Sequence, residues 1–482
     1  MKYRSKRCII AALISMVTLI GAGGCGAAPE ETKVVIEPME AETVYAYSPD
    51  FIGGTDVMPI SGFYGPYNLG HSYMGESVPD YVSDEIFALL NECGINMIKS
   101  SILDSKAEPE GQIEMLELAE KYGMAVFIRH TDIEGRHLGE EFTAEEMAEA
   151  INKFANYTAF AGIDLVDEPG TDYWWSSLSQ GHIVDYEQRA DLLNELGVAF
   201  GVNSIGVSKS IGDIADRYLT DFCTIFNPKY LCHTNYRCAG NTEVVSDSDL
   251  SKGREEQLWG MDKVRTYANK YNLPMWRYIQ AGGQWNDSGS AVDSEPYYPS
   301  EGQLHWAINT TLAYGAKGIS YFPLIQPLQF SYAKTEPYDS QRNGLIGAWG
   351  NKTQWWYYAK KANEQIAAVD HVLMNSVNKG ILVSGESAVK ETRGQDAVMK
   401  GTSWRELKDI AGSAMVGCFN YQGKTAFYVV NYEDEYKQLI DLEFFNTYKL
   451  TVIQRTETSY IETNNLTLDM NPGEGVLIVV DN

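Results

Sequence analysis

The segment Ala159–Gly170, AFAGIDLVDEPG, decides the fold that this sequence predicts. It begins with a short apolar run, which is typical of a parallel strand that is buried on both faces. Pro169 has no N–H group for a neighbouring strand, so the strand must end there. Two carboxylates, Asp167 and Glu168, therefore follow each other at its carboxyl end, pointing to opposite sides of a regular strand. In a parallel α/β barrel this end is the catalytic rim; the alternative is a solvated pair in a loop.

The region from about Val57 to Leu324 alternates short apolar strands with amphipathic helices, as consecutive βα units do. Thr143 and Glu146 form a capping box at the start of one helix. Eight such units predict a closed (β/α)8 TIM barrel in the α/β class. An open doubly wound sheet is the alternative, but the sequence has no glycine-rich phosphate loop. The predicted strands are Val57–Gly62, Ile95–Ser101, Met124–His130, Ala159–Val166, Val198–Val207, Phe222–Phe226, Pro274–Ile279 and Gly318–Phe322.

After Asn375 the pattern changes to short alternating strands separated by glycine, asparagine and aspartate. This pattern predicts a small antiparallel β-sandwich over residues 375–482, after a barrel over residues 51–374. We expect the sandwich to support the barrel without catalysing. We also expect it to pack on the barrel through apolar strand faces such as those of Val429, Ile440 and Leu442.

The first residues have the pattern of a bacterial export signal. A positively charged start is followed by the apolar run Cys8–Ile20, which is short for a membrane span. Ala22–Cys25 resembles a lipobox, so residues 1–25 are predicted to be a lipoprotein-type signal peptide, with Cys25 lipidated. Residues 26–50 are acidic and predicted to be a flexible tether. The expected location is outside the cytoplasm, anchored in the cell membrane by lipid; plain secretion is the alternative.

Composition narrows the possible partners. The net charge is −27, which argues against nucleic acid, because phosphate binding needs a basic surface. Aromatic residues make up 12 % of the chain, and their rings can stack on sugars, so a carbohydrate partner is favoured. Cys232 and Cys238 are near enough in sequence for a disulfide, and the sequence leaves open whether they are bridged. No cysteine–histidine pattern indicates a metal, and nothing indicates a cofactor.

Three segments resemble strands four, seven and eight of the clan A glycoside hydrolases. They are FAGIDLVDEPG from Phe160, LPMWRYIQAGGQW from Leu273 and EGQLHWAINTTLAYGAKGISYFPL from Glu301. The closing NPGEGVLIVV, from Asn471, is similar to the last strand of the β-sandwich that often follows such barrels. The resemblance covers roughly Phe51–Met374 and implies a retaining glycoside hydrolase that acts on a poly- or oligosaccharide. Together with the export signal, it predicts an enzyme that is tethered to the cell surface.

The resemblance also implies roles for particular residues. In that clan a glutamate that ends strand four, usually after asparagine, is the general acid/base; here it is Glu168, with Asp167 in place of the asparagine. The nucleophile of the clan is a glutamate that ends strand seven, where this sequence has no carboxylate. A second carboxyl group is needed at about 5–5.5 Å for retention or about 6.5–9.5 Å for inversion. The candidates are Asp167, Glu301, Glu295, Asp293 and Asp56.

Two of these candidates have alternative roles. Asp167 can orient a neighbour, and Glu301 can stabilise the first turn of its own helix. If no second carboxylate serves, the protein is a catalytically inactive, glycan-binding lipoprotein on a degenerate glycosidase barrel.

Polar and aromatic residues near the predicted rim can hydrogen-bond sugar hydroxyls or stack on sugar rings. For each of them a structural role is the alternative. Asn227 and Tyr230 are included because strand six is predicted at Phe222–Phe226. The predicted substrate-binding residues are Tyr64, Asn68, Arg129, His130, Trp174, Trp175, Asn203, Asn227, Tyr230, Gln280 and Trp285.

Overall fold

The computed structural model describes residues 33–42, 56–66, 72–73, 76–77, 80–100, 110–130, 133, 142–175, 179, 181–204, 206–236, 247–282, 299–326 and 344–481. The predicted signal peptide lies outside this set, as do six residues that are considered individually above: Cys25, Asn68, Cys238, Trp285, Asp293 and Glu295. Residues Ile36–Asn482 belong to one compact unit. Among the described residues, no helix has the length and apolar character needed to span a membrane.

Eight parallel strands form one sheet in which each strand lies beside its neighbours in the chain. The sheet closes where the Asn96 amide donates to the Ile60 carbonyl at 3.1 Å, joining the first two strands. This topology confirms the predicted barrel. The strands are β1 Ile60–Gly62, β2 Met97–Lys99, β3 Ala125–Ile128, β4 Phe160–Asp167, β5 Phe200–Ser204, β6 Leu231–His233, β7 Met275–Gln280 and β8 Gly318–Phe322.

A helix follows each barrel strand and covers the outside of the sheet. The Thr143 capping box is present, with the side chains of Thr143 and Glu146 each accepting from the other residue's backbone amide. A short hairpin pairs Ser72–Tyr73 with Glu76–Ser77. The helices are α1 Asp84–Glu92, α2 Glu110–Tyr122, α3 Ala144–Asn152, α4 Glu187–Glu195, α5 Asp213–Phe226, α6 Asp247–Tyr271, α7 Glu301–Ala313 and α8 Gln354–Met374.

The prediction for strand six is wrong. Phe222–Phe226 is the last part of α5, whose buried residues recur at helical spacing. Asn227 ends this helix with a φ of +44°. Because β6 begins at Leu231, both Asn227 and Tyr230 precede the strand, at the end of the barrel opposite the rim.

The barrel interior is apolar near the amino ends of the strands and polar near their carboxyl ends, at the rim. Near the amino ends, the rings of Tyr230 and Trp276 stack with their centres 4.0 Å apart, and Cys232 is a buried free thiol. Towards the rim the enclosed side chains are polar, and four of them expose 2 % or less of their surface. These four are Lys99, Arg129, Asp164 and Asn203.

The second domain is one antiparallel sheet that curls on itself. Its elements are β9 Ser376–Ser384, α9 Glu386–Glu391, β10 Leu407–Ala411, β11 Ala414–Tyr421, β12 Lys424–Asn431, β13 Gln438–Gln454, β14 Glu457–Met470 and β15 Gly475–Asp481. The order is β9–β11–β12–β15–β13–β10, with β14 on the long strand β13. The first part of β13 pairs with β10 and the second part with β15, and between these parts the register of β13 against β14 shifts. The curled sheet forms two layers, so the predicted sandwich is confirmed.

The packing face predicted for this domain is wrong. Val429, Ile440 and Leu442 lie in a core that is internal to the sandwich. Side chains alternate along a strand, so the neighbours of Val429, Tyr428 and Val430, point the other way and join the barrel core. The Tyr428 hydroxyl donates to Asn309 of α7 at 2.7 Å.

Part of the predicted tether lies against the sandwich. The Asn420 side chain donates to the Glu40 carbonyl at 2.7 Å. Lys379 forms an ion pair with Glu42 at 2.8 Å, and Arg405 donates to the Glu37 carbonyl at 2.5 Å. Residues 37–42 are therefore held by specific contacts, where the sequence predicts flexibility.

Candidate active site

The end of β4 departs from a regular strand. Its pairing with β5 skips a residue between Asp164 and Val166, as at a β-bulge. Glu168 follows with a φ of +48°, in the left-handed region that non-glycine residues seldom adopt. Asp167 and Glu168 therefore do not point to opposite sides, as a regular strand predicts. Both carboxylates lie near one group, the Tyr236 hydroxyl. Burial raises the pKa of this hydroxyl well above its ordinary value, and the charges of Glu168 and Asp167 raise it further.

Glu168 is enclosed at the rim and exposes only 8 % of its surface. The Thr234 hydroxyl donates to its Oε1 atom. Burial, and then the charge of Asp167, raise the pKa of the Glu168 carboxyl to about 8, against a smaller lowering by the Thr234 hydrogen bond. The raised pKa favours the protonated carboxyl group, which is the state of a general acid.

Asp167 is held by a chain of hydrogen bonds that crosses the barrel. The Asn203 Nδ2 atom donates to Asp167 Oδ1 at 2.7 Å. On its other side, Asn203 Oδ1 accepts from Lys99 Nζ at 2.8 Å. The Tyr278 hydroxyl lies 3.1 Å from both Lys99 Nζ and Asn203 Nδ2. Residues from β2, β4, β5 and β7 therefore converge on this carboxylate.

A third carboxyl group, that of Asp164, lies deeper in the barrel. Its oxygens are 3.9 Å from Lys99 Nζ and 3.7 Å from Arg129 Nη1. Two buried cations thus balance the charges of Asp164 and Asp167. The interior is close to neutral while Glu168 keeps its proton.

The remaining candidates for a second carboxylate lie elsewhere. Glu301 forms an ion pair with Lys361 of α8 at 2.7 Å on the outer helical layer. Asp56 precedes β1 and accepts from Asn375 at the opposite end of the barrel. The end of β7 carries Gln280, whose side chain donates to the Gly282 carbonyl. Of the candidates that the structure describes, only Asp167 adjoins Glu168.

Aromatic side chains stand beside Glu168. The ring of Tyr236 stacks on Phe322 at 5.5 Å between centres, and the ring of Tyr64 lies 5.6 Å from Phe322. The structure thus places the predicted residue Tyr64 in an aromatic group with Tyr236, which adjoins both carboxylates. A sugar ring can pack against such a surface.

The other predicted binding residues are divided between the rim, the core and the opposite end. Trp175 is half-exposed beside the His182 ring, which is 4.8 Å away. Trp174 packs edge-on against Tyr218 of α5 at 4.7 Å. His130 is buried against Phe154. Tyr230 fills the barrel interior below the site, and Asn227 lies at the end of α5.

Six residues of the site were missed in the sequence: Lys99, Asp164, Thr234, Tyr236, Tyr278 and Phe322. Lys99 carried a usable signal, because a lysine at the end of an otherwise apolar strand must find a buried partner. Thr234 and Tyr236 follow β6, whose misplacement hid them. Within the described residues, no group of three or more histidine, cysteine, aspartate or glutamate side chains could hold a metal ion.

Neither a known protein family nor a curated protein matches this sequence. Solved structures with a similar fold include a beta-galactosidase from Marinomonas ef1, with 12 % identity and a TM-score of 0.45, covering 72 % of this chain and 66 % of that chain. A maltogenic alpha-amylase from Thermotoga neapolitana has 10 % identity and a TM-score of 0.45, covering 88 % and 99 %. An arabinofuranosidase from Xanthomonas axonopodis has 9 % identity and a TM-score of 0.44, covering 92 % and 98 %.

The chain spans just under two thirds of that galactosidase. With TM-scores of 0.45 or less, these likenesses carry no argument about activity. The barrel is established by its own strand order and pairing.

Proposed function

We propose that this protein is a glycoside hydrolase in which Glu168 is the general acid/base. The proposal is carried by one observation: a carboxyl group that is buried at the barrel rim, where burial raises its pKa, lies beside a second carboxylate. The aromatic group of Tyr64, Tyr236 and Phe322 supports a sugar as the substrate.

The chemistry follows from the two protonation states. Glu168 donates its proton to the glycosidic oxygen as the bond to the anomeric carbon breaks. Asp167, held by Asn203, is the negative group nearest to the positive charge that develops on the sugar. A carboxylate at about 5–5.5 Å from the acid favours retention, and one at about 6.5–9.5 Å favours inversion. Proton NMR of the anomer that is released first will assign the role of Asp167.

The test is a glycan library screened for released sugar, followed by variants. Glu168→Gln should lose several orders of magnitude in kcat/KM on an unactivated glycan, because the amide has no acidic proton. The kcat/KM of the wild type should fall above about pH 8, where Glu168 ionises. Glu92→Gln, in an exposed ion pair with Lys352, is the matched control. Equal turnover by wild type and Glu168→Gln would overturn the proposal.

We also propose that the enzyme acts at the cell surface, held there by lipid on Cys25. The proposal is supported by the charged start, the short apolar run and the residues around Cys25. Incorporation of a labelled fatty acid into the wild type, and its loss in Cys25→Ala with release of the protein into the medium, is the expected result. Unlabelled wild-type protein in the medium would favour plain secretion.

A second function is favoured by Gln280. The resemblance implies a nucleophilic glutamate at the end of strand seven, and an amide cannot replace it. The alternative is therefore a lipoprotein that binds glycan on an inactive barrel. It predicts calorimetric binding of a glycan without released sugar, and an affinity that changes little in Glu168→Gln.

A further inference from the structure

The side chain of Asn203 is held in one of its two orientations. An asparagine amide can be turned end over end within nearly the same space. Here Oδ1 faces Lys99 Nζ, which can only donate, and Nδ2 faces the carboxylate of Asp167, which can only accept. The reversed amide would set its oxygen against the carboxylate and its NH2 group against the ammonium. Lys99 therefore selects the orientation that binds Asp167.

We infer that Lys99 is a positioning residue that acts through the Asn203 amide to fix the Asp167 carboxylate beside Glu168. The side chains of Lys99 and Asn203 expose 1 % and 0 % of their surface, so solvent does not replace the hydrogen bond between them. The role of Lys99 in catalysis rests on the proposed function, whereas the hydrogen bonds that link Lys99, Asn203 and Asp167 do not depend on it.

The surroundings hold Lys99 firmly in place. The Tyr278 hydroxyl lies 3.1 Å from its ammonium group, and Asp164 approaches it at 3.9 Å. Other strands of the barrel contribute further titratable groups around Lys99, Asp167 and Glu168. The charged and titratable groups that face this network are Asp164, Arg129, Tyr230, Cys232, Tyr236 and Tyr278.

Removal of Lys99 has two effects of opposite sign on Glu168. If Lys99 positions Asp167, its loss releases Asn203 and lets the partly buried Asp167 turn towards solvent. Asp167 then repels the ionised form of Glu168 less, and the pKa of Glu168 falls. If Lys99 acts only by its charge, the loss of a cation raises the pKa of Glu168. The direction of the shift separates the two explanations.

The experiment is an infrared titration of the full-length protein. The carbonyl stretch of the protonated Glu168 carboxyl is assigned by its loss in Glu168→Gln and followed with pH. Lys99→Met should lower the pKa of Glu168 by about one unit or more. Lys99→Gln, which keeps an N–H donor without the charge, should restore most of the wild-type value. Lys317→Met, which removes a buried lysine bonded only to backbone carbonyls, is the control and should leave the pKa unchanged.

A higher pKa in both Lys99 variants, or no change in Lys99→Met, would overturn the inference. If Lys99→Met does not fold, Asn203→Leu removes the same link and should lower the pKa of Glu168 in the same way. This titration needs no substrate. Full turnover by Glu168→Gln would therefore overturn the proposed function, whereas the inference about Lys99 is tested by the titration alone.

Discussion

Among single residues, Glu168 and Asp167 are neighbours in the chain that the fold places in different environments. Glu168 is nearly enclosed and lies beside Asp167, so its neutral form is favoured despite the hydrogen bond that it accepts from the Thr234 hydroxyl. Asp167 is partly exposed and accepts a buried amide hydrogen bond, which favours the charged form. Two carboxyl groups whose environments differ in this way are suited to acid and base roles.

Glu168→Gln should raise the melting temperature, and the gain should grow as the pH rises from about 5 to about 8. The folded protein keeps this proton up to a pKa of about 8, whereas the unfolded chain releases it near the ordinary value of 4.5. Between these values the folded state binds more protons than the unfolded state, so stability falls with rising pH. Glutamine does not titrate and escapes this loss.

The measurement is calorimetry of both proteins in steps of pH, with Glu92→Gln as an exposed control. A difference in melting temperature that is the same at low and high pH would mean that Glu168 is not protonated in the folded state.

Among the elements, β4 is the strand whose irregularities place the site. It changes register against β3 as well as against β5. Gly162, near its start, has a φ of +151°, and a Cβ atom there would lie 2.0 Å from the Ala199 carbonyl oxygen. Only glycine allows β5 to approach this closely. The close approach brings Asn203 of β5 next to Asp167.

Gly162→Ala should destabilise the protein by roughly 3 kcal/mol or more, because neither backbone can move without breaking the sheet. Gly197→Ala is the matched control: its φ is +69°, but nothing lies within 4 Å of the new methyl group. That variant should cost only about 1 kcal/mol, from the backbone conformation alone. Denaturant unfolding of both variants is the measurement, and equal losses would contradict the argument.

In the whole molecule, a buried ion cluster joins the barrel to the sandwich. Arg254 of α6 lies 3.0 Å from Glu391 of α9 and 3.3 Å from Asp434. The Tyr432 hydroxyl donates to Glu391 at 2.6 Å. Glu391 and Asp434 expose 1 % and 5 % of their surface. These charges are costly to bury unless they remain paired.

Arg254→Met should destabilise the protein by about 3 kcal/mol or more, because it removes the cation from two buried carboxylates. Lys361→Met, which breaks the exposed pair with Glu301, should cost about 0–1 kcal/mol. Thermal and denaturant unfolding of the two variants can be compared directly. A similar, small effect for both would show that the cluster does not hold the domains together.

Truncation before Asn375 should lower the melting temperature or the solubility of the barrel. It exposes the apolar surface that the barrel shares with Met415, Phe419 and Val430 of the sandwich. Calorimetry and sedimentation of residues 51–374 are the measurements. A truncated barrel that stays stable and soluble but no longer binds glycan would identify the sandwich as a carbohydrate-binding module instead.

The order of strands and helices could be predicted from the sequence, except for the place of the sixth strand. Hydrophobic periodicity and caps act within one turn or one strand, so the barrel, its eighth strand Gly318–Phe322 and the capping box of Thr143 were predicted correctly. The prediction of a strand at Phe222–Phe226 was wrong, because a short apolar run suits the buried face of a helix as well as a strand. The position of Glu168 at the rim followed from Pro169 in the same local way.

Only the tertiary structure decided what surrounds these residues. Lys99 and Asn203 are 104 positions apart in the chain, and no local pattern records that they meet. The irregular end of β4 combines a register shift against β5 with the positive φ of Glu168, and no local sequence pattern predicts either of them. The raised pKa of Glu168 depends on which side chains enclose it. A sequence therefore determines where a carboxyl group stands in its own strand, whereas its charge depends on neighbours that the closed barrel brings from four other strands.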